Sequence, residues 1–128
     1  MMPAYRLHAI RYARHERIAA DNFIGAAPDD HAAPMPLDYF IWLIERDDAP
    51  PILVDTGFDA AAAKARGRTM LRPVAEGLRA IGIAPETIGE VVLTHLHYDH
   101  AGNLGLFPNA RFHIQERELA FATSQAMA

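Results

Sequence analysis

The apolar residues of this chain come in runs too short for anything but strands and short helices. The longest unbroken run, Tyr39 to Ile44, has six residues, against the roughly 20 that a membrane-crossing helix needs. Strand-length runs and helix-length patterns follow one another along the 128 residues, so the class open to the chain is mixed α/β. A single domain of that size buries roughly two-thirds of the surface its unfolded form exposes, and stability alone demands neither a disulfide nor a structural metal.

Residues 5–12 alternate apolar and polar side chains and then slip phase at Ala9-Ile10, which reads as a strand with a bulge. From Ala20 to Pro36 the residues Gly25, Pro28, Asp29, Asp30, Pro34 and Pro36 break every periodicity, leaving a loop long enough to cover a substrate pocket. Tyr39–Ile44 and Ile52–Val54 read as two buried strands joined by a hairpin-type connection, with Tyr39, Phe40 and Trp42 in the core. Asp59 before Ala60–Ala65, with Gly67 after, gives a capped short helix. A second helix begins near Pro73, turns Leu71, Val74, Leu78 and Ile81 toward the strands and stops at Gly82. Val91–Leu93 and Arg111–Ile114 are further strands, and Glu116–Gln125 is a final helix.

Cysteine is absent, which removes disulfides, thiolate zinc sites, iron–sulfur clusters and thiolate nucleophiles together. Any metal must then be held by His and carboxylate. With 12 Lys+Arg against 16 Asp+Glu, the net charge of −4 exerts no pull toward nucleic acid or an anionic membrane. Arg6, Arg11, Arg14 and Arg17 meet no apolar segment of the kind a secretory signal carries, and the cytoplasm is the expected location.

The segment that carries chemistry is Thr94-His95-Leu96-His97-Tyr98-Asp99-His100-Ala101-Gly102-Asn103, directly after a strand. At this chain's own His and Asp frequencies, chance produces H-x-H-x-D-H with a probability of about 0.001. While the backbone stays extended, His95 and His97 face one side and converge on one cation. If the chain then turns into a helix, with Gly102 permitting the turn, Asp99 and His100 can reach a second cation. Imidazole and carboxylate suit Zn²⁺ first, with Mn²⁺, Fe²⁺ or Co²⁺ as substitutes. The bland alternative is a polar loop in which Asp99 or Asn103 caps a helix, although capping needs no histidine. His8, His15, His31 and His113 are isolated and read as structural or exposed.

With these residues the chain resembles the metallo-β-lactamase superfamily of metallohydrolases, whose H-x-H-x-D-H signature is met by His95, His97, Asp99 and His100. More narrowly it is similar to the N-acyl-homoserine lactonase group, through Leu-Asp-Tyr-Phe (37–40), Ile-Leu-Val-Asp-Thr-Gly-Phe (52–58), the motif itself (95–103) and Leu-Phe-Pro-Asn-Ala-Arg-Phe-His-Ile-Gln (106–115).

The resemblance implies the N-terminal half of an αβ/βα sandwich, with 1–128 a single, incomplete domain of that fold. It assigns His95 and His97 to one zinc and Asp99 and His100 to a second. It places Asp55 beside them as a carboxylate that orients a ligand imidazole; a plain turn residue in Asp-Thr-Gly is the alternative. It implies hydrolysis of a lactone ring, an N-acyl-homoserine lactone of the quorum-quenching type, by hydroxide held between two cations, with Asp99 passing the proton. Members of the family carry a second half that adds a histidine to each metal and a bridging carboxylate; His113, the one histidine after the motif here, is not a ligand in the family pattern. Two further readings stay open. One is a non-catalytic metal-binding half-domain that needs a second chain, and the other is a sister hydrolase acting on thioesters or other lactones.

Overall fold

The computed structural model describes residues 2–24 and 32–124. His31 and the middle of the 20–36 segment lie outside the described residues. The strands are β1 (Tyr5–His15), β2 (Leu37–Arg46), β3 (Ala49–Val54), β4 (Thr69–Met70), β5 (Glu90–Val92) and β6 (Arg111–His113). The helices are α1 (Ala19–Asn22), α2 (Ala60–Ala65), α3 (Val74–Ala80), α4 (Tyr98–Ala101) and α5 (Glu116–Ala122). Among the described residues no helix is long and apolar enough to cross a membrane.

All six strands form one sheet in the order β4-β1-β2-β3-β5-β6. The β1–β2 and β2–β3 pairs are antiparallel, joined in the second case by the expected short hairpin, whereas β3, β5 and β6 run parallel. Parallel neighbours need crossovers, and α2 with α3, then α4, supply them. The parallel strands finish level, with Val54 beside Val92 beside His113. The residues that follow therefore emerge together at one edge, where open α/β sheets place their ligand sites.

One face of the sheet is covered. Ile10, Tyr12, Ile41, Leu43, Leu53 and Val91 pack there with Phe58, Val74, Leu78, Ile88 and Phe107 from the helices and loops. The other face is apolar but open: Leu7, Phe40 and Trp42 are 71%, 40% and 47% exposed. This corrects two expectations. The aromatic run 39–44 is not buried throughout, because alternate residues point to opposite faces, and only Tyr39 of the three aromatics turns toward the core. The phase slip at Ala9-Ile10 is likewise no bulge. Leu7 and Ala9 belong to the open face and Ile10 to the covered one, while the register shift lies between Arg11 and Ala13. There the extra residue lets Tyr12 and Ala13 both be buried.

The helices start largely where their signals stand. Asp59 caps α2 by accepting the Ala62 N–H at 2.8 Å. Pro73 precedes α3, but of its expected apolar stripe only Val74 and Leu78 are buried; Leu71 and Ile81 lie outside the helix and are exposed. The two-residue strand β4, unforeseen, is created by pairing with β1. The 20–36 segment is not loop throughout, since one-turn α1 enters it, and its ends are tied by the Ala19 N–H to Ala33 carbonyl and Met35 N–H to Arg17 carbonyl bonds.

Candidate metal centre

The turn after β3 sets the geometry. Asp55 adopts a left-handed φ of 64°, a conformation that costs about 1–3 kcal/mol outside glycine although Asp tolerates it better than most. Gly57 follows at φ 70°, and a Cβ there would stand 2.7 Å from the Tyr12 ring. Only glycine fits. The turn points the buried Asp55 carboxylate sideways at the end of β5, where it holds three groups. Its Oδ1 accepts the Thr94 N–H at 2.9 Å, the Thr94 hydroxyl donates to it at 2.9–3.0 Å, and its Oδ2 lies 2.7 Å from His100 Nδ1. A carboxylate accepts, so His100 carries its proton on Nδ1 and presents a lone pair on Nε2. That Nε2 faces Asp99 Oδ2 at 3.4 Å.

Other contacts fix the motif segment from below. Thr56, fully buried, donates its N–H and its hydroxyl to the His100 carbonyl at 2.7 and 2.9 Å. The Asn103 N–H returns a bond to the Thr56 hydroxyl at 3.1 Å, and its side-chain amide donates to the Thr56 carbonyl at 2.9 Å. The Gly102 N–H donates to the Gly57 carbonyl at 2.9 Å. Gly102 has an ordinary helical φ of −79°, so it does not serve by permitting an unusual turn. It serves by close approach, since a Cβ would come within 2.5 Å of the Gly57 carbonyl oxygen. The Tyr12 hydroxyl donates to the Asp99 carbonyl at 3.2 Å, and burial followed by the nearby Asp99 charge pushes its pKa far up, keeping it a donor. Tyr12, Tyr39, Phe58 and Tyr98 stack in sequence with centroids 5.1–6.2 Å apart, wedging α4 against the core.

This scaffold gathers His95, Asp99 and His100 so that one ligand atom from each lies within 4.8 Å of the others. The His95 and His100 rings are 3.9 Å apart. His97 stands at the N-cap of α4, exposed, outside that trio but with its ring 4.5 Å from that of His95. No side chain caps α4, and Asn103, at the N-cap of the 3-10 turn Leu104–Leu106, makes no side-chain capping bond there, so neither Asp99 nor Asn103 plays the capping role. The donor set is imidazole nitrogen and carboxylate oxygen, which fits a borderline divalent cation such as zinc. Asp55 both forms the turn and lies against His100.

Sequence reasoning missed Thr94, Thr56 and Glu118. The Thr94 hydroxyl touches Asp55 and stands 3.1 and 3.2 Å from the Nδ1 atoms of His95 and His100. Thr56 and Thr94 were marked only by adjacency to the motif residues. Glu118 of α5 accepts the Leu96 N–H at 3.0 Å across 22 residues, with no local signal. The isolated histidines lie elsewhere, His8 against Glu45, His113 against Glu90 and His15 against Arg68.

The model of the metallo-beta-lactamase superfamily matches residues 35–122. Metallo-beta-lactamase domain-containing protein 1 of Mus musculus is 52% identical over 60 residues, 47% of this chain and 20% of its own. The N-acyl homoserine lactonase of Bacillus cereus is 32% identical over 96 residues, 64% of this chain and 38% of its own. The solved structure of a quorum-quenching N-acyl homoserine lactone lactonase superposes with a TM-score of 0.76 at 26% identity, covering 98% of this chain and 51% of that one. The chain thus spans about half the length of that structure and less of the two relatives. With the family model covering more than half of its residues, the chain belongs to the metallo-beta-lactamase superfamily.

Proposed function

We propose that the chain is the metal-holding part of a hydrolase that opens a lactone ring, with N-acyl homoserine lactones as the reference substrates. The observation that carries the reading is the convergence of His95, Asp99 and His100 at the end of two parallel strands, with Asp55 fixing the tautomer of one imidazole. His95, His97, Asp99 and His100 would hold the cations, zinc by preference. Divalent cations bound there supply an acidified water and a polarised carbonyl. Asp99 would take a proton from an attacking water and return it to the ring oxygen as it leaves. Asp55 keeps His100 from rotating, Thr94 keeps Asp55 in place, and Tyr12 anchors the backbone that carries Asp99. The similarity to lactonases supports the substrate class, while sister hydrolases share the core motif.

The open apolar face favours a second reading, in which 1–128 is a metal-binding half-domain that works only with further residues from the same or a second chain laid over Leu7, Phe40 and Trp42. Metal content per purified chain, measured beside lactone hydrolysis followed by proton release, separates the two. Bound zinc with turnover, both lost in His97→Ala, supports the lactonase reading. Bound zinc without turnover in a self-associating chain supports the half-domain. Failure to hold zinc in stoichiometric excess overturns both.

A further inference from the structure

The Asp99–His100 pair is steadied by Asp55, whose Oδ2 lies 2.7 Å from His100 Nδ1. His95 and His97 stand on a stretch that belongs to no regular element, since β5 ends at Val92 and α4 starts at Tyr98. Backbone of that kind has no ladder, so each amide withdrawn from water needs an acceptor of its own. The Leu93 N–H donates to the His113 carbonyl at 2.9 Å, the Thr94 N–H to Asp55 Oδ1 at 2.9 Å, and the Leu96 N–H to Glu118 Oε1 at 3.0 Å. His95 is therefore bracketed by two amides held on carboxylates, one from the turn after β3 and one from α5.

Leu96 separates two imidazoles whose ring centroids are 4.5 Å apart. Its side chain packs against the core, and with its amide also tied, the backbone angles that set one ring against the other are fixed at both ends. A carboxylate is a strong choice of acceptor, because a hydrogen bond from a backbone N–H to an ionised oxygen is roughly twice as strong as a neutral one. The helix that supplies it is otherwise lightly seated. No residue of α5 is buried and no side chain caps its N-terminus. Among the described residues its other hydrogen bonds stay within 115–124, so the part-buried Glu118 ties α5 to the stretch that carries His95 and His97.

We propose that Glu118 is a positioning residue for the metal centre: by holding the Leu96 amide it keeps the imidazoles of His95 and His97 paired before a cation arrives, and a bound cation in turn secures α5. The second half follows from the first, since coupling between two sites is reciprocal. The proposal rests on the hydrolase reading for the cation, but the pairing itself is read on the metal-free chain. There, NMR should show a nuclear Overhauser contact between the His95 and His97 rings and slow hydrogen exchange at the Leu96 amide. Glu118→Ala should remove the contact, speed that exchange and weaken zinc binding, measured by competition with a chelating dye, about tenfold. Alanine is the best helix former and α5 buries nothing, so this variant keeps the fold. Glu118→Gln, whose amide oxygen still accepts, should restore the contact and most of the affinity, and Glu116→Ala on the same helix should change neither. Saturating zinc should slow exchange at Leu96 and along α5 in the wild type and leave α5 unaffected in Glu118→Ala. A ring contact that survives Glu118→Ala, unchanged zinc affinity in that variant, or a glutamine variant no better than alanine would overturn the proposal, the last because charge rather than the bond would then be acting. Wild-type zinc binding that persists through such a failure leaves the hydrolase reading standing. A wild type that binds no zinc removes that reading, and the ring contact and Leu96 exchange then decide the role of Glu118 by themselves.

Discussion

Two histidine–carboxylate pairs sit at opposite ends of the sheet, and the contrast between them shows what makes a pair chemically useful. His8 and Glu45, on β1 and β2, meet at 2.6 Å with side chains 31% and 24% exposed. His100 and Asp55 meet at 2.7 Å with side chains 28% and 7% exposed. The distances and the imidazole exposures are nearly equal. The first pair lies on regular strands and extends only to Arg6, 3.8 Å from Glu45. The second is built on a left-handed residue, and its carboxylate also binds the backbone and hydroxyl of Thr94, which in turn touches His95. Backbone strain is retained only where surrounding contacts over-determine it. The Asp55 pair meets that condition, and its histidine leaves Nε2 toward a second acid. The Glu45 pair organises nothing beyond itself.

Breaking the second pair should have the largest effect. Asp55→Ala removes the acceptor of three donors and leaves alanine in a conformation it resists, for a combined loss of about 3 kcal/mol or more in chemical unfolding. Asp55→Asn is the sharper test. Asparagine tolerates the left-handed turn and can still accept from Thr94, but its amide N–H₂ then faces His100 Nδ1 and favours the tautomer protonated at Nε2. Stability should fall less than in the alanine variant while zinc affinity, measured by competition with a chelating dye, drops about 10–100-fold. Wild-type zinc affinity in Asp55→Asn would mean that the pair does not tune a metal ligand.

Thr94→Val keeps the backbone N–H to Asp55 and deletes the hydroxyl that links the carboxylate to both imidazoles. A loss of about 1–2 kcal/mol in denaturant unfolding is expected, with a decline in zinc affinity smaller than that of Asp55→Asn. If the decline matches or exceeds it, the hydroxyl rather than the carboxylate is what orients the histidines.

The difference between the pairs also marks how far the sequence could be read. His95, His97, Asp99 and His100 were visible because six consecutive residues carry their chemistry, and the Asp59 cap because its signal is local. The mixed α/β class followed from helix-length segments between strand-length runs. What stayed hidden depends on residues brought together from afar, as in the Tyr12 hydroxyl on the Asp99 carbonyl 87 positions on, or Glu118 on Leu96. Which residues of the aromatic run line the open face stayed hidden for another reason. Phe40 and Trp42 are as apolar as Ile41 and Leu43, and hydrophobicity alone does not say which side of a strand is covered.

Glu45→Gln supplies the control from the first pair. It weakens one partly exposed contact to His8 and one long contact to Arg6, so unfolding free energy should change by about 1 kcal/mol at most, with zinc affinity untouched. A change in zinc binding would show that the two ends of the sheet communicate and that the comparison is too simple.

The smallest effect concerns a third histidine, paired with a cation instead of an acid. His15 lies against Arg68, and burial, then Arg68 and Arg17, hold its pKa below the usual 6.5. Between the lowered folded value and 6.5 the unfolded chain therefore binds more protons than the folded one, and stability rises with pH there. Above about pH 6.5 both states carry a neutral imidazole and the contribution is flat. Below it, a penalty to the folded state grows until the folded value is passed. Unfolding midpoints measured from pH 7.5 down to pH 5, on the metal-free protein, should fall slightly more steeply in the wild type than in His15→Gln, which has nothing to protonate at that position. A steeper fall in the variant would reverse the sign and require a carboxylate, rather than Arg68, as the partner that governs His15.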